Sequence, residues 1–339
     1  TKYMRMKNNV IPFLLLMTFS SALAQKKFKT PPYLKVGDTI AIVAPAGILK
    51  NKEEAIQKAK ELAESWGLKV VLGKNLFKQN NHFSGTDDER TQDFQEALDD
   101  KNIKAIWTAR GGYGSVRIID KLDFMKFKNS PKWVIGYSDI TAFHTHIHTL
   151  KVETIHGVMG TNLSEKPEDI LETISSFKKA LFGEEIVYSI PSSIYNKVGI
   201  SGKTGQVVEG QIIGGNISIL ASMLGSKSQI NTDGKILFIE EIGEYKYSID
   251  RMLQSLKRAG YFTKVKAVVV GDMSRIKANS TEWGSSIEQL ILDVLPKDIP
   301  VLFNFPAGHE LDNRALIFGS KVLLTVETGI ERSTLKFLK

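Results

Sequence analysis

An α/β fold built on a parallel sheet is what this sequence predicts, from three short apolar runs that alternate with helical patterns. The runs are Ile40–Ala44, Val70–Leu72 and Ile103–Thr108. Their lengths suit buried strands, and the spacing leaves room for one crossover helix between neighbours. Strands joined in this way lie parallel, with right-handed connections and helices on both faces. Ligands of such sheets bind beyond the carboxyl ends of the strands. The loops at 45–47, 83–86 and 109–115 are therefore where function is expected.

In chain order, the first run ends in Pro45-Ala46-Gly47, a turn. Asn51 is placed to cap the next helix. Its apolar positions Ala55, Ile56, Ala59, Leu62, Ala63 and Trp66 follow helical spacing, and Gly67 stops it. Thr86 and Glu89 match a capping box, opening a helix that runs to about Asp99. From about Ser164 to Ser201 the pattern is less regular, with Pro167, Pro191 and a polar stretch over 192–197. This reads as an interdomain connection, residues 166–205, carrying a helix near 168–182. Further strands are expected at 206–213, 235–241, 265–271 and 322–326, with helices at about 216–224, 249–258 and 284–294. The expected organisation is thus a leader (1–24), an N-terminal α/β domain (25–165), the connection, and a C-terminal domain (206–339).

The chain's 339 residues suit two domains, and 42% hydrophobic with 24% charged residues is an ordinary globular balance. With no cysteine in the sequence, disulfides, thiolate metal sites and a cysteine nucleophile are excluded. Lys2, Arg5 and Lys7 precede an apolar stretch, Val10 to Phe19, and Ser21-Ala22-Leu23-Ala24 supplies small residues ahead of Gln25. That three-part layout is a secretory signal peptide, and the apolar part falls short of the ~20 residues needed to span a bilayer. Export, a periplasmic location and no stable membrane anchor are the expectations. An uncleaved N-terminal anchor is the alternative. The net charge of +8 includes three basic residues of the leader, leaving +5 interspersed with acids. No nucleic-acid motif accompanies it, so no nucleic-acid partner is expected, and a mildly basic exported protein suits anionic cell-wall substrates.

The residues most suited to chemistry begin with Arg110-Gly111-Gly112-Tyr113-Gly114-Ser115, which follows the strand ending at Thr108 and precedes the helical pattern Val116, Ile119, Leu122. A serine at a glycine-lined strand-to-helix turn is placed like a nucleophile elbow, with helix-start N–H groups ready for a negative oxygen. The spacing is not G-x-S-x-G, and a phosphate cradle or a plain glycine turn with Ser115 as helix cap are the other readings. A serine needs a base. Among six histidines, His309 sits in a Pro- and Gly-flanked loop, Asn304 to Glu310. His144, His146 and His148 share a helical pattern in which 144 and 148 are one turn apart. A metal site there lacks the glutamate of H-E-x-x-H, and packing histidines are the stronger expectation. An acid to orient the imidazole would come from Ile236-Leu237-Phe238-Ile239-Glu240-Glu241, a strand ending in two carboxylates. Alternation does not choose between Glu240 and Glu241, and a salt bridge to Arg251 or Lys246 would be their bland role.

Together these segments resemble the LD-carboxypeptidase family, which also includes the microcin C self-immunity hydrolases. The landmarks run from Gly37-Asp38-Thr39 to Pro45, through Ser84-Gly85-Thr86-Asp87, Arg110 to Ser115 and Gly136-Tyr137-Ser138-Asp139-Ile140-Thr141. They continue with Gly214-Gly215-Asn216, Glu240 to Gly243, Asp250 to Leu253 and Gly308-His309. The resemblance implies an N-terminal parallel-sheet (Rossmann/flavodoxin-like) domain, a smaller β-rich C-terminal domain, a site between them, and a homodimer. It implies a triad of Ser115, Glu240 and His309, with no metal and no cofactor. The implied reaction removes the terminal D-alanine from an L-configured centre of murein tetrapeptides. Backbone N–H groups of Val116 and Gly85 are the expected oxyanion donors, and Arg110, Gly112 and Asn216 the expected substrate contacts. Val116 departs from the acidic or amide residue that often follows the nucleophile, and Ala46 from a serine common in the first glycine loop. Alternatives are a microcin-immunity-type amidase acting on peptidyl or aminoacyl nucleotides, and a non-catalytic periplasmic binding protein for murein peptides.

Overall fold

The three apolar runs do form neighbouring parallel strands, and they belong to a six-stranded sheet. The computed structural model describes residues 27–199 and 206–339, so the leader lies outside the described residues. The first half contains β1 (Thr39–Val43), α1 (Glu53–Ser65), β2 (Lys69–Leu72), α2 (Asp87–Asp99), β3 (Ile103–Thr108), α3 (Ser115–Ile118), α4 (Met125–Asn129), β4 (Trp133–Gly136), α5 (Thr141–Thr149) and β5 (Thr154–His156). After α6 (Leu171–Phe182) come β6 (Val187–Pro191), β7 (Lys197–Val198), β8 (Gln206–Asn216), α7 (Ile217–Ser222), β9 (Ile236–Ile242), α8 (Lys246–Arg258) and β10 (Ala267–Ser274). The chain ends with α9 (Ile287–Val294), β11 (Pro300–Leu302), β12 (Leu316–Phe318), β13 (Lys321–Val326) and β14 (Arg332–Phe337).

The first sheet has the order β12-β5-β4-β3-β1-β2, parallel except for β12. The second has the order β6-β14-β13-β8-β9-β10-β11-β7. Its centre, β8 to β11, is parallel and its flanks are antiparallel. β8 spans both regimes: residues 206–211 pair with β13 and 212–216 with β9. The second unit is therefore α/β at its heart, with α7, α8 and α9 between its parallel strands, and β-rich only along one side.

Two boundaries differ from expectation. The supposed connection 166–205 supplies α6 and both edge strands of the second sheet, β6 and β7. In return, β12 from the C-terminal region closes the edge of the first sheet by pairing with β5. Each exchange covers backbone groups that an open edge would leave unpaired. The two units also share one apolar cluster, in which Trp107 and Ile135 join Phe238, Phe318 and Leu335, all fully buried. That shared core fixes the two strand-end faces relative to each other.

Local signals were read with mixed success. The capping box is formed: Thr86 Oγ1 accepts from Glu89 N–H at 3.1 Å, and Glu89 Oε2 accepts from Thr86 N–H at 2.9 Å. Asn51 does not cap α1. It takes a left-handed conformation (φ +57°), which an asparagine tolerates, and Lys52 becomes the cap residue with no side-chain bond. The pattern Val116, Ile119, Leu122 gives only the four-residue α3 and a 3₁₀ turn. Among the described residues no helix is long and apolar enough to cross a membrane.

Candidate active site

Ser115 is the first residue of α3, immediately beyond β3. Gly114 before it has φ +142°, and a Cβ there would lie 3.0 Å from both Ala46 Cα and Phe83 Cδ1. Only glycine fits that bend. The Ser115 N–H donates to Asp139 Oδ2 at 2.9 Å, while its buried Oγ has no hydrogen-bond partner. Buried hydroxyls are almost always paired, so an orphan one at a strand-to-helix bend marks a place kept for something else. Burial raises the Asp139 carboxyl above its usual range, opposed by the N–H and the nearby hydroxyl of Ser115 and by the charges of Arg90 and His82.

One buried side chain ties the three strand-end loops together. Arg90, on the inward face of α2, donates through Nη1 to the carbonyls of Pro45 (2.7 Å) and Gly114 (3.1 Å), and through Nε to that of Gly85 (3.3 Å). Its Nη2 pairs with Asp87, whose carboxylate also takes two bonds of 2.9 Å from Arg117. Arg90 thus sets the peptide that precedes Ser115 and the one that follows Gly85, whose own N–H is an expected oxyanion donor. Val116, the other expected donor, is the second residue of α3, where helix N–H groups lack intrahelical partners.

The second unit contributes the acid and the imidazole. Glu240 stands at the end of β9 with no solvent exposure, and its Oε2 lies 2.7 Å from His309 Nδ1. The choice that alternation left open is made by packing. Glu241 faces α7, where it accepts from Ser218 N–H (2.9 Å), Ser218 Oγ (2.7 Å), Asn216 Nδ2 (3.0 Å) and Ile242 N–H (2.8 Å). Burial raises the Glu241 carboxyl, and those bonds oppose the rise. A carboxylate beside Nδ1 requires the ring hydrogen there, which leaves Nε2 as the basic nitrogen. His309 packs edge-on against Tyr137, ring centroids 5.1 Å apart, and the Tyr137 hydroxyl oxygen accepts from Asn162 Nδ2 at 3.1 Å. Two residues beyond Tyr137 stands Asp139, the partner of Ser115. The connection after β4 therefore touches both the serine and the histidine.

The expected substrate contacts fare unevenly. Arg110 is half-buried, donates through Nη1 to the Ile48 carbonyl and lies against Gly47. Gly112 has φ +91° and faces Gly47 across the site loops. Asn216 has a structural role within the protein: its side-chain oxygen caps α7 by accepting from Ile219 N–H at 3.2 Å, and its amide nitrogen donates to Glu241. Each end keeps a further donor or acceptor site beyond these bonds.

The helix histidines pack and bond as expected. His144 Nε2 lies 2.8 Å from the Gly136 carbonyl, His148 Nε2 2.9 Å from Thr154 Oγ1, and His146 Nδ1 2.9 Å from Ser228 Oγ. Among the described residues no group of three or more His, Asp or Glu is arranged to hold a metal ion. Sequence reasoning missed Arg90 and gave Asp139 no role. The signal for Arg90 was present: it shares the apolar face of α2 with Phe94 and Ala97, where an arginine needs buried partners.

Comparison with known proteins decides the family. Residues 40–157 match the LD-carboxypeptidase N-terminal domain and residues 209–324 the LD-carboxypeptidase C-terminal domain, together well over half the chain. This chain belongs to the LD-carboxypeptidase family. A probable murein peptide carboxypeptidase of Bacillus subtilis (strain 168) is 36% identical to it over 317 residues, covering 90% of this chain and 97% of the relative. Among solved structures, the muramoyltetrapeptide carboxypeptidase from Oxalobacter formigenes superposes with a TM-score of 0.76 at 28% identity, covering 89% of this chain and 99% of that one. The microcin C7 self-immunity protein MccF superposes with a TM-score of 0.77 at 26% identity, covering 90% and 98%. As a member of that family the protein is a peptidase, with the family's two-domain architecture.

Proposed function

We propose that this protein is an exported serine peptidase that removes the terminal D-alanine from murein tetrapeptides, with Ser115 as nucleophile, His309 as base and Glu240 as the acid that orients it. The observation that carries the reading is the 2.7 Å contact of His309 Nδ1 with fully buried Glu240, linked through Tyr137 and Asp139 to Ser115, whose Oγ is unpartnered. In the proposed cycle His309 Nε2 takes the proton of Ser115 Oγ as the oxygen attacks the scissile carbonyl. The imidazolium then gives that proton to the leaving D-alanine nitrogen. A water, deprotonated by the same imidazole, releases the acyl group from Ser115. Glu240 keeps the hydrogen on Nδ1 and stabilises the ring's positive charge. The N–H groups of Val116 and Gly85 would receive the oxyanion, each such donor being worth roughly 10²–10³ in rate. With the Ser115 N–H held by Asp139, a donor from α3 falls to the next residue.

Export rests on the leader pattern of residues 1–24, and a homodimer on the family resemblance; light scattering of the purified protein tests the latter. A second reading has support in the likeness to MccF: an amidase acting on peptidyl or aminoacyl nucleotides. One experiment separates the two. Wild-type protein and Ser115→Ala are incubated with a murein tetrapeptide ending in D-alanine, and in parallel with an aminoacyl sulfamoyl nucleoside, and products are read by mass spectrometry. Loss of one alanine by the wild type alone supports the proposal. Cleavage of the nucleoside conjugate alone transfers the reading to the amidase, and alanine release by a pure Ser115→Ala preparation removes Ser115 as nucleophile.

A further inference from the structure

A third carboxylate stands against the pair formed by Glu240 and His309. Asp272, near the end of β10, brackets the loop that carries the imidazole: its N–H donates to the Ala307 carbonyl at 2.8 Å, and its Oδ2 accepts from Glu310 N–H at 3.1 Å. Gly308 and His309 lie between those two anchor points. The fit is close. Gly308 has φ +137°, and a Cβ on it would lie 2.9 Å from Asp272 Cβ, 3.1 Å from Asp272 Oδ2 and 3.2 Å from Glu240 Oε2. The carboxylates of Asp272 and Glu240 therefore face the same small space beside the Gly308 backbone, one bonded to the histidine ring and the other to the loop.

We propose that Asp272 is a positioning residue for His309, holding its loop from both sides and adding a second negative charge behind the Glu240–His309 pair. The inference rests on reading His309 as the base. The charged and titratable groups around Asp272 come from several elements. Glu240 approaches from β9, His309 and Glu310 from the loop, and Tyr137 from the connection after β4. Glu288 of α9 lines the neighbouring cavity of about 390 Å³ together with Asp272 and Glu310. Glu310 is itself held by Ser274, whose hydroxyl donates to it at 2.6 Å. Burial first, then the charges of Glu310 and Glu240, push the Asp272 carboxyl up to about 7, against the Glu310 N–H and His309. It is thus neutral in mild acid and anionic in mild base. Once ionised, it favours the imidazolium that forms when His309 accepts the serine proton. At an effective dielectric of about 20, a unit charge within roughly 10 Å of a base changes its proton affinity on the order of tenfold or more.

The test is the titration of the His309 imidazole by NMR in the full chain, wild type against Asp272→Asn, with His309→Gln assigning the signal. Asparagine keeps an oxygen to accept the Glu310 N–H and cannot ionise. The expected result is a lower His309 proton affinity in D272N wherever Asp272 is ionised in the wild type, by up to about tenfold, with the acid limb of kcat/KM moving to lower pH. In the wild type the His309 signal should also show a second inflection near pH 7 as Asp272 ionises, a measurement that needs no variant. Coincident His309 titrations in the two proteins, or a single inflection in the wild type, would overturn the proposal and leave Asp272 as a loop support. The titration requires no substrate, so its outcome is separable from the Ser115→Ala test of the reaction.

Discussion

Replacing Arg90 by methionine should both destabilise the protein and disorganise its site. The arginine side chain is fully buried and serves three backbone carbonyls, those of Pro45, Gly85 and Gly114, besides Asp87. Methionine fills much of the volume but donates nothing. Each orphaned buried acceptor costs about 1–3 kcal/mol, and breaking a buried charged pair typically costs about 3–5 kcal/mol. These terms overlap, because Asp87 keeps Arg117 and the loops can relax toward water. A net loss of about 3–5 kcal/mol is expected, read as a lower urea midpoint at unchanged m-value. Arg90→Lys separates charge from geometry. A single ammonium does not span three loops, so we expect a smaller loss of stability, about 1–3 kcal/mol, with kcat down roughly tenfold or more through displacement of Ser115. Stability within 1 kcal/mol of wild type in Arg90→Met, or full kcat in a folded Arg90→Lys, would show that the loops are held by other means.

The two adjacent glutamates should behave differently. Glu240→Gln presents an amide to His309 Nδ1 and should lower kcat about 10³–10⁴-fold with little change in stability, measured by alanine release and thermal melting. Glu241→Gln places a donor among four donors and should cost about 1–3 kcal/mol of stability, with a much smaller effect on kcat. Buried histidines set a third expectation. Burial depresses His144 to about 4 and holds His148 and His156 well below the usual value. As pH falls below ~6.5 the unfolded chain binds protons that these rings refuse, so each removes ~1.4 kcal/mol of stability per pH unit until its folded-state value is reached. Glu153 and Asp272, both raised to about 7, act in the opposite sense, since they hold protons that the unfolded chain loses as pH rises above ~4. A difference measurement isolates one ring. His156, whose two nitrogens have no partner and whose neighbours are Phe238, Phe318 and Tyr137, can be changed to phenylalanine. Relative to wild type, urea unfolding of that variant should gain ~1.4 kcal/mol per pH unit on acidification below 6.5; parallel pH dependences would refute the account of a neutral buried ring.

Where local chemistry is self-sufficient, the sequence was readable. Thr86 and Glu89 form their box because both partners lie within one turn, and the helix it opens ends at Asp99 as its pattern implies. Ser115, the Glu240–Glu241 pair and His309 are legible as candidates because glycines, an apolar strand end and a Pro/Gly loop mark backbone turns directly. What stayed hidden depends on partners distant in sequence. The strand β12 is three residues long and exists because β5 offers it an edge 160 positions away. The two-residue β7 is likewise an edge of the second sheet by virtue of β11. Arg90 gains its role from carbonyls on three separate loops, and Asn216 bonds Glu241, a partner 25 residues on that nothing local reveals. The choice between Glu240 and Glu241 was open for the same reason: both faces of β9 are buried, so alternation carries no information there.

As proposed, the orphan hydroxyl of Ser115 is the nucleophile and His309 serves it. The most direct measurement is covalent capture: wild-type protein is treated with a fluorophosphonate at neutral pH, digested, and the modified residue located by tandem mass spectrometry. The account predicts one adduct, on Ser115, lost in Ser115→Ala and slowed at least about 10²-fold in a folded His309→Gln. An adduct on another residue, or labelling of Ser115 at an unchanged rate without His309, would contradict it.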